Sequence, residues 1–109
     1  MVDTRIEKLA ELLVNYSLDL QRGNKFFIWS GMAGAPLVEA VYRQAIDKGA
    51  LPFIMWDFPA GDEYRLKHGN DEQVQHIPEP AALLYQKYDR MLRIIAEENT
   101  KALSSVDPA

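Results

Sequence analysis

The spacing of apolar residues along this chain changes several times, and each change marks an element. From Asp3 onward, Ile6, Leu9, Ala10, Leu13 and Tyr16 recur at helical spacing and predict one buried stripe. Asp3 or Thr4 can cap that helix, and Thr4 with Glu7 has capping-box spacing. Gly23 closes the connection that follows. Lys25–Ser30 (KFFIWS) then shows no alternation, because Phe26, Phe27, Ile28 and Trp29 form an unbroken apolar run. A strand wetted on one side would alternate, so this run predicts a parallel strand covered on both faces, with Trp29 in the core.

Helical spacing returns after the loop Gly31–Ala35. Pro36 sits where a helix opens, Leu37, Val38, Val41, Tyr42, Ala45 and Ile46 predict its buried face, and Gly49 is placed to end it in the left-handed conformation. Phe53–Trp56 reads as a second strand. Pro52 before it fits a strand start or an edge. Gly61–His68 predicts a helix stopped by Gly69, and Asp71–His76 one further helical turn before Pro78. Glu79–Tyr88 predicts a helix with Ala82, Leu83, Tyr85 and Tyr88 facing inward. Arg90–Ala96 is the third strand, Thr100–Leu103 a last helical turn, and Ser104–Ala109 a tail. The order β, α, β, α, β behind one leading helix predicts an α/β class, a small three-layer α/β/α domain with a short parallel sheet. The first strand is the most apolar, which puts it in the middle and gives strand order 2-1-3.

Composition narrows the function classes. The 109 residues make one domain, and 48% hydrophobic content suffices for a modest core. A net charge of −4 with dispersed Lys and Arg argues against a nucleic-acid surface. No apolar run approaches the roughly 20 residues of a membrane helix. The start, MVDTRIEK, lacks the apolar core of a signal peptide. With no cysteine there is no disulfide, no thiolate nucleophile and no cysteine metal site. A cytoplasmic protein is the simplest expectation.

Three groups of residues invite chemistry. The loop Ser30–Pro36 follows a strand and opens a helix, where backbone N–H groups can hold an anion. Asp57 ends the second strand, where a dinucleotide fold keeps its ribose-binding acid. The G-x-x-G of Gly31 and Gly34 is neither a dinucleotide fingerprint nor a P-loop, so a plain glycine turn competes with it. His68 and His76 lie outside H-E-x-x-H, and no helical spacing puts both on one metal. A capping role suits His68, in a last helical turn, and a surface role His76. Glu97-Glu98-Asn99-Thr100 follows the third strand, beyond which open α/β sheets form their crevices. Adjacent carboxylates on an extended chain point apart, which favours a solvated loop. Glu97 and Asn99 are the residues expected to border a cleft. No residue qualifies as catalytic or as a metal ligand.

Three segments resemble one family. Asp3–Ile28 (DTRIEKLAELLVNYSLDLQRGNKFFI) is similar to the amino terminus of the thermophilic, aminopeptidase T-type leucyl aminopeptidases. Ala35–Phe53 resembles that family's first crossover helix and second strand, and Asp89–Pro108 its third strand and the segment after it. Gly61–Tyr88 matches less specifically. The resemblance implies residues 1–109 as the amino-terminal, noncatalytic scaffold domain of a two-metal exopeptidase. The parent would hold two divalent ions, zinc or cobalt, through Glu, His and Asp in a later half. None of those ligands falls on a position of this sequence, so no cofactor is expected here. The implied partners are the remainder of the polypeptide, a peptide substrate in the parent, and a second copy in a homo-oligomer, with neither nucleic acid nor membrane. The alternative is a self-standing nucleotide- or phosphate-binding module built on Gly31–Gly34 and Asp57.

Overall fold

The structure is a computed structural model, and it describes residues 3–95. Helix α1 (Thr4–Leu12) begins at Asp3, whose carboxylate accepts the Arg5 N–H at 2.8 Å. Asp3 is therefore the cap, and Thr4 already lies inside the helix. A π-turn over Leu13–Ser17 continues the helix, with the Leu18 N–H bonded to the Leu13 carbonyl. The wider turn advances the inward face, so the buried line runs Ala10, Val14, Leu18. Leu9 and Tyr16, expected in the buried stripe, are exposed instead, Tyr16 by 77%.

Strand β1 (Lys25–Ser30) leads through a 3₁₀ turn, Met32–Gly34, into helix α2 (Ala35–Asp47). Two hydrogen bonds close α2, from the Gly49 N–H to Ile46 and from the Ala50 N–H to Ala45, with Gly49 at φ +82°. This is the expected left-handed stop. The helix buries Val38, Ala40, Val41 and Ala45. Tyr42 and Ile46, expected on that face, are exposed, while the small residues Ala40 and Ala45 are buried in the cluster that also holds Ala10 of α1. Across this contact the Gln44 side-chain amide donates to the Glu7 carbonyl at 3.2 Å.

Strand β2 spans Leu51–Trp56, two residues longer at its start than the sequence suggested, and it carries Pro52 on an edge strand. Helices α3 (Pro59–His68), α4 (Asp71–Gln75) and α5 (Glu79–Lys87) precede strand β3 (Arg90–Ile94). The sheet is parallel throughout, in the order β2-β1-β3. The expected class, α/β with order 2-1-3, is the one observed.

β1 explains the layering. Phe26 and Ile28 point into the cluster built by α1, the π-turn and α2. Phe27 points the other way and meets Tyr85 and Tyr88 edge-on, at ring-centroid distances of 5.5 and 6.0 Å. This second face is thinly covered. Register places Leu51, Phe53 and Met55 on it beside Phe27 and Trp29, and Leu51 and Phe53 are exposed. Trp29 is accordingly half-buried and not the core residue that its run of neighbours predicted. On α5 the buried residue is Leu84, while Leu83, expected inward, is exposed. Residues 96–109, with the expected strand end at Ala96, the turn Thr100–Leu103 and the tail, lie outside the described residues.

Candidate functional site

One cluster joins all three strands at their carboxyl ends, where open α/β sheets place their ligands. Asp57 follows β2 directly, and its N–H donates to the Ser30 carbonyl at 2.9 Å, which fixes the carboxylate beside β1. The Trp29 indole N–H donates to Asp57 Oδ1. Arg93, from β3, places Nη2 3.0 Å from Asp57 Oδ2. Its Nη1 donates to the Trp29 carbonyl at 3.2 Å, and the guanidinium carbon lies 4.2 Å from the centre of the indole ring. Each oxygen of Asp57 thus has a donor, and its charge is matched by a cation that also stacks on the indole. With both oxygens so engaged, Asp57 ties the three strand ends together, and the cluster acts as a clamp across them. Its place after the second strand singles out Asp57 in the sequence, but nothing in the spacing connects it with Trp29 and Arg93. The available signal was register: a charge interrupting an apolar strand at the step where β1 carries tryptophan.

The glycine loop is a turn in the described structure. Gly31 is extended, the Gly34 N–H donates to the Gly31 carbonyl at 3.0 Å, and the Ser30 hydroxyl donates to the same carbonyl at 2.8 Å. Ser30 is wholly buried and committed to this bond, so it is not a presented nucleophile.

The two histidines line one cleft, a placement that spacing along one helix could not have shown. α3 and α4 meet at Gly69–Asn70, where the Asn70 and Gln73 side chains form a reciprocal capping box. The fold-back leaves an open cleft of about 780 Å³, lined among others by Phe58, Tyr64, Arg65, His68, Glu72 and His76. Gly61 admits the Phe58 ring where any Cβ would collide with it. His68 stacks against Tyr64 at 4.5 Å. On the outside of α3 the Lys67 ammonium, hydrogen-bonded to Glu63 at 2.8 Å, holds the Glu63 carboxyl below the usual carboxylate range. Among the described residues no three His, Cys, Asp or Glu side chains converge on a point that could hold a metal ion. They do not fit a two-metal centre. Glu97 and Asn99 lie outside the described residues.

The class these features define is a parallel α/β domain without a dinucleotide fingerprint, its strand ends closed by a Trp–Asp–Arg clamp. The chain belongs to the thermophilic metalloprotease (M29) family, which matches residues 2–109. Among solved structures it is similar to wild-type AmpT from Thermus thermophilus, with 23% identity and a TM-score of 0.68. That match covers 94% of this chain and 27% of the AmpT chain. At this identity the likeness shows a shared fold, and the chain corresponds to the amino-terminal part of the longer protein. No curated protein matches the chain. No helix among the described residues is long and apolar enough to cross a membrane.

Proposed function

We propose that this chain is the noncatalytic, amino-terminal scaffold domain of a metal-dependent aminopeptidase that removes N-terminal residues from peptides. The observation that carries the reading is the match to the thermophilic metalloprotease family along the whole chain, from residue 2 to 109. Three points support its finer parts. The chain spans about a quarter of the AmpT length, so most of a polypeptide of that size lies outside its counterpart here. The described residues lack a convergent donor set, so in this reading two divalent ions, zinc or cobalt, are held by the remainder of the polypeptide. The described carboxyl strand ends are tied to each other, which suits a supporting wall better than a reacting centre. The partners in this reading are the rest of the same polypeptide and a peptide substrate, and the compartment is the cytoplasm.

Turnover tests this directly. The purified chain, supplied with zinc or cobalt, is expected to leave leucyl and other aminoacyl chromogenic substrates intact. Metal-dependent turnover that persists through purification and disappears in His68→Ala or His76→Ala would overturn the scaffold reading.

A further inference from the structure

We propose that the cleft between α3 and α4 holds the carboxyl end of a short peptide, with a large apolar last side chain on its aromatic wall and the terminal carboxylate at Arg65. The inference rests on the cleft's own residues and stands apart from the aminopeptidase reading.

Size sets the first limit. At about 780 Å³ the cleft falls within the roughly 300–1,000 Å³ of sites that take drug-sized ligands. A tripeptide is a ligand of that size, whereas a single amino acid leaves most of the space empty.

The apolar wall is Phe58 and Tyr64, two large rings that line the cleft and are exposed. Two glycines shape it. Neither Gly61 nor Gly69 has a positive φ, so no backbone angle calls for glycine at either position. What matters is the missing Cβ. At Gly61 it would collide with the Phe58 ring, and at Gly69 it would stand 2.5 Å from the Arg65 carbonyl. The Gly69 N–H donates to that carbonyl at 2.7 Å, so the chain turns out of α3 tightly against the residue that carries the cation. His68 stacks on Tyr64 and steadies the second ring.

Arg65 supplies the charge. Arg90 and Arg93 commit their guanidinium groups to backbone carbonyls and to Asp57. Arg65 Nε has no hydrogen-bond partner among the described residues and is shielded from solvent. Its Nη2 stands 3.6 Å from Asp62, longer than a hydrogen bond. The two outer nitrogens are thus left for a carboxylate, the group whose geometry a guanidinium matches. The imidazoles of His68 and His76 line the same space and add N–H donors. Glu72, on α4, gives the site a direction. It repels a second carboxylate, so the charged end of the ligand lies toward α3, and it accepts N–H groups of the peptide backbone.

Backbone amide chemical shifts of the chain, followed through a titration with alanyl-alanyl-phenylalanine, test the proposal. Saturable shifts centred on Phe58–His76 are expected, with a dissociation constant of about millimolar or tighter. The same peptide as its C-terminal amide is expected to bind at least about fivefold more weakly. Alanyl-alanyl-glycine, with the carboxylate but no ring, is expected to weaken by about as much. Arg65→Met is expected to erase the preference for acid over amide. Gly61→Ala raises helix propensity but displaces the Phe58 ring, so it is expected to weaken the phenylalanine peptide about fivefold with circular dichroism unchanged. No saturable shift up to about 10 mM would overturn the proposal. So would equal affinity for acid and amide in the wild-type chain, or a preference that Arg65→Met leaves intact. Free phenylalanine binding as tightly as the tripeptide would overturn the peptide as occupant.

Discussion

At the residue scale the informative side chain is Asp57, because from the end of β2 it holds one partner from each of the other two strands. Removing its carboxylate strands an indole N–H and a guanidinium together, both partly shielded from water. Asp57→Ala is therefore expected to destabilise the domain by about 1–3 kcal/mol in urea titration. Asp57→Asn keeps an acceptor for Trp29 and loses only the ion pair with Arg93, so it is expected to cost clearly less. Equal losses for the two variants would show that the charge, and not the hydrogen bond, carries the effect. None of this was legible from spacing, because Trp29, Asp57 and Arg93 are separated by 28 residues or more and meet only through sheet register. The same limit explains Leu9 and Tyr16. Their spacing fits a helix, but the π-turn at Leu13–Ser17 moves the buried line onto Val14 and Leu18.

At the element scale the sequence was more explicit. The unbroken run Phe26–Trp29 marked the central strand, because only a strand covered on both faces tolerates such a run. Gly49 marked the end of α2 through its left-handed requirement, and it reaches φ +82° there. A Cβ at this position would also stand 3.1 Å from the Arg22 side chain. Gly49→Ala is thus expected to cost about 1–2 kcal/mol by thermal or urea unfolding. Gly23, at φ +83° but with nothing near its Cβ position, should cost less on the same change. The cleft was illegible for a different reason. The sequence shows two histidines on either side of Gly69 but not the angle at which α3 and α4 fold back. Neither helix contains a fully buried residue. Short helices draw their stability from tertiary packing, so amides of Pro59–Gln75 are expected to exchange with solvent much faster than those of α2. Protection of α3 equal to that of α2 would mean that the cleft is filled. On α3, Glu63 contributes to pairing above its unfolded titration range. Because Lys67 lowers its folded value, that contribution is lost only as pH falls through the lowered range. Carboxyl chemical shifts followed through an acid titration would show Glu63 protonating below the usual carboxylate range, and Lys67→Ala would remove that lowering.

At the scale of the whole molecule, the fold class and strand order follow from hydrophobic periodicity, and the family from three matching segments. The proposed role depends on one property: this part of the polypeptide supports a metal centre without supplying its ligands. Calorimetric titration of zinc and cobalt into the purified chain examines that property without relying on a substrate. The account predicts no saturable site tighter than about millimolar, because two histidines and Glu72 line an open cleft without converging on one point. Stoichiometric binding at micromolar metal, lost on His68→Ala or His76→Ala, would contradict it and place ligands of the metal centre within this chain.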